Sequence, residues 1–224
     1  MSETNSRAQL SIPRLILMPG VITLAVTVLR LVGELEHWSK AWFNPEQGGF
    51  LAVVGIVWLA PVFGIYFALK LSGAGQGAAH LGHAIAHAIL GAILLAGGFY
   101  LFNGGFIRGL RGVIVMWALA ALGGILQWPT WPSLFGVLLP YGYAARIPVA
   151  TVMALATWAG WQSHYSAAVP GESKLEMYFL AAFIPQLVWW VAFTIVVGSL
   201  FGTLATAMGR GRRPGRSGLV GRGA

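Results

Sequence analysis

Four stretches of this chain, Leu71 to Ile107, Gly112 to Ala145, Ile147 to Gly171 and Met177 to Gly209, contain no Lys, Arg, Asp or Glu. A water-soluble domain needs roughly a quarter of its residues charged. Here 9% are charged and 57% hydrophobic, with a mean hydropathy of +0.74, so the solvent around most of the chain is lipid. The expected fold is an all-α, polytopic membrane helical bundle. At about 20 apolar residues per crossing, its 224 residues allow about six transmembrane helices and little else.

The apolar runs place those helices at about 15–33, 50–69, 84–102, 110–127, 143–161 and 177–207. No small-x-small cleavage site separates the first run from Glu34, so it reads as a retained span rather than a signal peptide. Trp128-Pro129-Thr130-Trp131-Pro132 interrupts helix and suits a headgroup boundary. With Pro140 it leaves 128–145 as a re-entrant or broken segment, and Arg146 is expected to snorkel at the start of the fifth span. The last run is too long for one straight crossing, so it must tilt, protrude or kink at Pro185. The expected domains are a cytoplasmic N-terminal tail (1–11), the transmembrane domain (12–207) and a basic, disordered cytoplasmic tail (208–224).

Placing both termini in the cytoplasm puts Arg7, Arg14, Lys70, Arg146 and the tail arginines Arg210, Arg212, Arg213, Arg216 and Arg222 inside, the positive-inside arrangement. No aromatic residue interleaves with the tail arginines, so the tail reads as a topology anchor and no nucleic-acid partner is expected. The expected partners are the lipid bilayer and either a second copy or a larger membrane complex.

Cysteine and aspartate are both missing from the sequence. That excludes disulfides, thiolate metal sites and aspartyl proteolysis. No H-E-x-x-H, P-loop or G-x-S-x-G occurs, and no catalytic residue is expected.

Two groups of side chains could carry chemistry. Gln76, His80, His83 and His87 would share one face if a single helix ran through them. His83 and His87, at i and i+4, could then ligate one metal with His80 nearby. The leading expectation is no cofactor and a hydrogen-bonded histidine stripe; metal or haem at His80, His83 and His87 is the alternative, haem requiring a second histidine from a symmetric partner. The second group is Glu34, Glu36, His37, Glu46, His164, Glu172 and Glu176, all on the outer side. Arg30 and Glu34, at i and i+4, are expected as an interfacial ion pair with the rest solvated, and His164 would join only if the helix ends meet. Arg146, Pro185 and Gln186 are the polar or hinge positions expected inside the bundle.

Small residues speak for close packing: Gly198-x-x-x-Gly202, Gly105-x-x-x-Gly109, Gly97-Gly98 and Gly123-Gly124. Leu31 to Trp38 also matches Leu122 to Trp128 with one gap, a short internal similarity of the kind an inverted repeat would leave.

Arg30 to Leu35 with Trp38, Val54 to Pro61, Phe63 to Lys70, Ala145 to Pro148, His164 and Tyr165, Ile184 to Gln186 and Val197 to Gly202 together resemble a family of uncharacterised bacterial multi-pass membrane proteins. The resemblance implies a bacterial cytoplasmic membrane and brings no activity or site residue with it. The functional expectation is a non-enzymatic membrane component: a scaffold, an accessory subunit or a small-solute conduit. The alternatives are a metal- or haem-binding redox protein using the His80, His83 and His87 stripe, and an inverted-repeat transporter.

Overall fold

Helix α1 (Ile12–Leu35) is apolar outside and polar inside. Leu17 and Met18 are 67% and 66% exposed, whereas Thr23, Thr27, Arg30 and Glu34 are buried, Glu34 completely. Water would select the reverse arrangement, so this helix faces lipid. It belongs to a computed structural model that describes residues 10–46, 53–166 and 173–211.

A 3-10 turn (Ile56–Trp58) leads into α2 (Leu59–Gly73), followed by α3 (Leu81–Asn103), α4 (Gly109–Ile125) and α5 (Pro132–Ala159). The last crossing is assembled from α6 (Lys174–Met177), a π-helical turn (Tyr178–Phe183), α7 (Ile184–Leu187) and α8 (Trp189–Gly211). No strand occurs among the described residues. Five helical segments are long and apolar enough to cross a membrane, and α4 is a shorter apolar helix. At 1.5 Å per residue α4 covers about 26 Å, close to the hydrocarbon thickness. Six successive crossings bring the start of α1 and the end of α8 to one side.

Glycines set the closest helix contacts. A Cβ on Gly64 of α2 would collide with the Gly198 backbone of α8, and one on Gly202 would lie 2.8 Å from Ala68 Cβ. These pairs run in register, so α2 and α8 are parallel. Helices α3 and α4 are antiparallel, with Gly91 against Gly123 and Gly98 against Met116. In contrast, Gly105 and Gly109 have φ of 73° and 62°; they form the turn between α3 and α4 rather than a packing motif, because left-handed backbone favours glycine.

Two expectations about breaks change. Segment 128–145 is not re-entrant: from Pro132 onward it is one continuous helix through Pro140 and Pro148. Arg146 therefore lies at the middle of α5, buried at 4% exposure, not snorkelling at a helix start. The interruption falls in the last crossing instead. Pro185 cannot donate to the carbonyl four residues back and its ring crowds that carbonyl, and the helix widens into the π turn just ahead of it. The N-terminal tail up to residue 9 and the basic tail from residue 212 lie outside the described residues, and α8 continues beyond 207 to Gly211.

Candidate functional site

The buried polar side chains of α1 stand at spacings of four, seven and eleven residues, which places Thr23, Thr27, Arg30 and Glu34 within about 60° of one another. They face α5 and the loop after it, forming a polar seam through the bundle. At mid-depth Thr23 Oγ1 and Tyr141 Oη are 3.0 Å apart, while Thr23 and Thr27 also donate to the carbonyls of Pro19 and Thr23. Tyr165 donates to the Thr27 carbonyl at 3.3 Å.

At the end of the seam Glu34 receives three partners. Arg30 Nε donates to Oε1 at 2.9 Å, and the His164 backbone N–H donates to Oε2 at 3.0 Å. The His164 ring places Nδ1 2.5 Å from Oε1, off the line of a well-aligned hydrogen bond. The Arg30–Glu34 pair thus exists as expected, in the last turns of α1, but it is buried rather than solvated, and the loop after α5 brings in His164. Burial pushes the His164 pKa below the ordinary imidazole range, with Glu34 pulling it the other way. Tyr165 is pushed up, chiefly by burial, and feels Arg30, Glu34 and Arg146 together. The other members of the expected outer group do not join: Glu36 and His37 are exposed, Glu46 binds Asn44 Oδ1 through its backbone N–H, Glu176 caps α6 with Ser173, and Glu172 lies outside the described residues.

The middle of the seam holds Arg146 and Gln186, two of the three positions expected to be internal. Arg146 Nη1 donates to Gln186 Oε1 at 3.4 Å, and the guanidinium lies 4.5 Å from the Trp190 ring centroid. Gln186 Nε2 donates to Met153 Sδ at 3.4 Å, a weak acceptor. Arg146 Nε has no acceptor. The third position, Pro185, supplies the helix break that turns Gln186 toward α5. Beside this cluster, an apolar cavity of about 190 Å³ lies between α4, α5 and the α7–α8 junction, with Tyr143, Leu187 and Val191 in its wall.

The histidine stripe is arranged differently from the expectation. Helix α3 begins at Leu81, so Gln76 and His80 are not on it and the four residues share no helical face. Gln76 accepts through its carbonyl from Trp131 Nε1 and Ser133 Oγ, at 2.8 and 2.7 Å, tying the α2–α3 loop to the start of α5. His80 and His83 are exposed, their ring centroids 5.3 Å apart. His87 Nδ1 bonds the Leu126 carbonyl at 2.9 Å while Gln127 Nε2 donates to the His87 carbonyl at 3.0 Å. That reciprocal clasp joins α3 to α4. Among the described residues no group of three or more His, Cys, Asp or Glu could hold a metal ion.

Thr23, Thr27, Tyr141 and Tyr165 are seam residues that sequence reasoning missed. The α1 spacing carried the signal for the two threonines. Compared with family models, with curated proteins and with solved structures, the chain finds no match in any of the three.

Proposed function

We propose that this chain is a non-enzymatic membrane component of a bacterial cytoplasmic membrane, and that it serves as a small-solute conduit. The observation that carries the reading is the polar seam, above all Arg146, buried at the middle of a 28-residue helix. Isolated charge at bilayer depth is costly, and intramembrane ionisable groups typically line a path or a binding place. Packing alone does not call for it, since glycine contacts already draw α2 to α8 and α3 to α4.

An inverted-repeat transporter is less well supported. The helices that such a repeat would equate differ in length, 24 against 17 residues for α1 and α4 and 15 against 28 for α2 and α5. The redox alternative would have to use His80 and His83 without His87 Nδ1, which the α3–α4 clasp occupies.

The test is solute flux into liposomes carrying the purified protein, with a panel of small anions, cations and neutral polar solutes. Protein-dependent permeation of one class is expected. Permeation no faster than in protein-free liposomes, with the helical content and oligomeric profile of the protein intact, would remove the conduit reading.

A further inference from the structure

Arg146 has no counter-charge among the described residues of the seam. Among the described residues, two guanidiniums, Arg30 and Arg146, face one carboxylate, Glu34, whose oxygens are already committed to Arg30 and His164. Arginine stays protonated in proteins, and burial disfavours the charged form of the His164 ring, so His164 is not counted as a further positive charge. Tyr141 and Tyr165 are engaged through neutral phenols. Among the described residues, no carboxylate lies within ion-pair distance of Arg146. Its compensation is the Trp190 π face and one long bond to Gln186.

Two donors therefore stand side by side without a good acceptor. One is Arg146 Nε, unbonded in a side chain at 4% exposure. The other is the Gln186 amide, which spends Nε2 on a thioether in a side chain at 7% exposure. The amide cannot be turned round to relieve this, because Nε2 would then face Arg146 Nη1, donor against donor.

We propose that Arg146 and Gln186 form an intramembrane binding site for a small monovalent anion, a halide or a short monocarboxylate. The site takes the conduit reading as its starting point and names the class of solute. Depth excludes a lipid headgroup as the source of charge: Arg146 has fourteen residues of α5 before it and thirteen after, about 20 Å of helix on either side. A monovalent ion matches the single uncompensated positive charge, whereas a divalent anion would leave the seam net negative. The Trp190 ring closes one face of the guanidinium, so the anion approaches edge-on, toward Nε, where the fork geometry of arginine binds best.

Equilibrium binding of radiolabelled chloride and of radiolabelled acetate tests this on the full chain in uncharged phosphatidylcholine nanodiscs. One anion per chain is expected for at least one of the two, and which one binds separates halide from carboxylate. Arg146→Gln should abolish binding. Arg146→Lys should keep it in weakened form, and Gln186→Leu should weaken it about tenfold, the loss of one hydrogen bond to a charged group. Arg108→Gln, an exposed residue in the α3–α4 turn, should bind as the parent does. If Arg146→Gln fails to fold, the Lys and Leu variants decide, and unchanged affinity in both overturns the site. So does a parent chain that binds neither ion, or an Arg146→Gln chain that binds normally. Anion binding without any solute flux would overturn the conduit reading and leave the site standing. Flux of a neutral solute or a cation with no anion binding would do the reverse.

Discussion

Two contacts in this bundle join parallel helices by opposite chemistry. Between α2 and α8, Gly64, Gly198 and Gly202 let backbones meet with almost no side chain between them. Between α1 and α5, Thr23, Arg30, Tyr141 and Arg146 line the contact with hydroxyls, phenol and charge. The first arrangement brings no polar side chain into the contact, as expected where van der Waals packing drives association in lipid. The second is a cost unless every group is paired. At Glu34 the groups are paired, and at Arg146 they are not. That difference separates what holds the molecule together from what it has available for a solute.

The largest effect should come from breaking the paired end. Glu34→Ala leaves Arg30 buried beside an empty place and removes the acceptor of the His164 backbone. A loss of about 3–5 kcal/mol is expected, read as a fall in the unfolding midpoint in a detergent titration. Arg146→Met should act in the opposite direction. It replaces a charge that lacks a counter-ion with an apolar side chain of similar length, and such replacements are neutral or stabilising by about 1–4 kcal/mol. A more stable variant that has lost flux would mark Arg146 as a residue kept at the expense of stability. A variant destabilised as much as Glu34→Ala would show that its charge has a structural partner and would erase the contrast.

The glycine contact is tested by Gly202→Ala, whose Cβ would meet Ala68 Cβ and the Gly64 carbonyl at 2.8 Å. Backbone on one side cannot give way cheaply, so a loss of about 1–3 kcal/mol is expected. Flux through the chain that remains folded should be unaltered, because Gly202 lies about 18 Å along α8 from Trp190, the residue of that helix that meets Arg146.

Acid should act on the paired end alone. His164 has a lowered pKa in the folded chain, so below the ordinary imidazole value of about 6.5 the unfolded state takes up a proton that the folded state refuses. Stability therefore rises with pH through the window between the lowered value and about 6.5, by at most about 1.4 kcal/mol per pH unit, and is level above it. Thermal midpoints measured across that window should show the slope, and His164→Gln should flatten it. A slope of opposite sign would mean that Glu34 holds the imidazole charged.

Much of this contrast was legible in the sequence, for reasons that differ by residue. Gly198-x-x-x-Gly202 and the Arg30–Glu34 spacing are local patterns on regular helix, and both form as local geometry dictates. Pro185 marks a real break. Pro140 does not, because a long helix flanked by neighbours absorbs one missing N–H, and misreading that proline misplaced Arg146 by half a membrane. The histidines misled for a related reason: periodicity assigns faces only inside a helix, and α3 starts one residue after His80. The threonines of α1 were hidden among apolar neighbours, since each satisfies its hydroxyl on its own helix four residues back.

The smallest effect asks whether the Thr23–Tyr141 contact belongs with the packing of the bundle or with Arg146. Tyr141 is buried against Phe63 and Phe67, with ring centroids 5.4 and 5.3 Å away, so its ring is part of the apolar core while its hydroxyl reaches Thr23. Tyr141→Phe keeps the ring and removes only the hydroxyl. Thr23 retains its bond to the Pro19 carbonyl, so no donor is stranded. Side-chain hydrogen bonds between membrane helices average about 0.6 kcal/mol, and a loss of that size is expected. If flux falls well beyond what so small a change in stability explains, the phenol serves the solute and the path runs from Arg146 toward α1. If flux is unchanged, the hydroxyl is packing, and the working part of the seam narrows to Arg146, Gln186 and the break at Pro185.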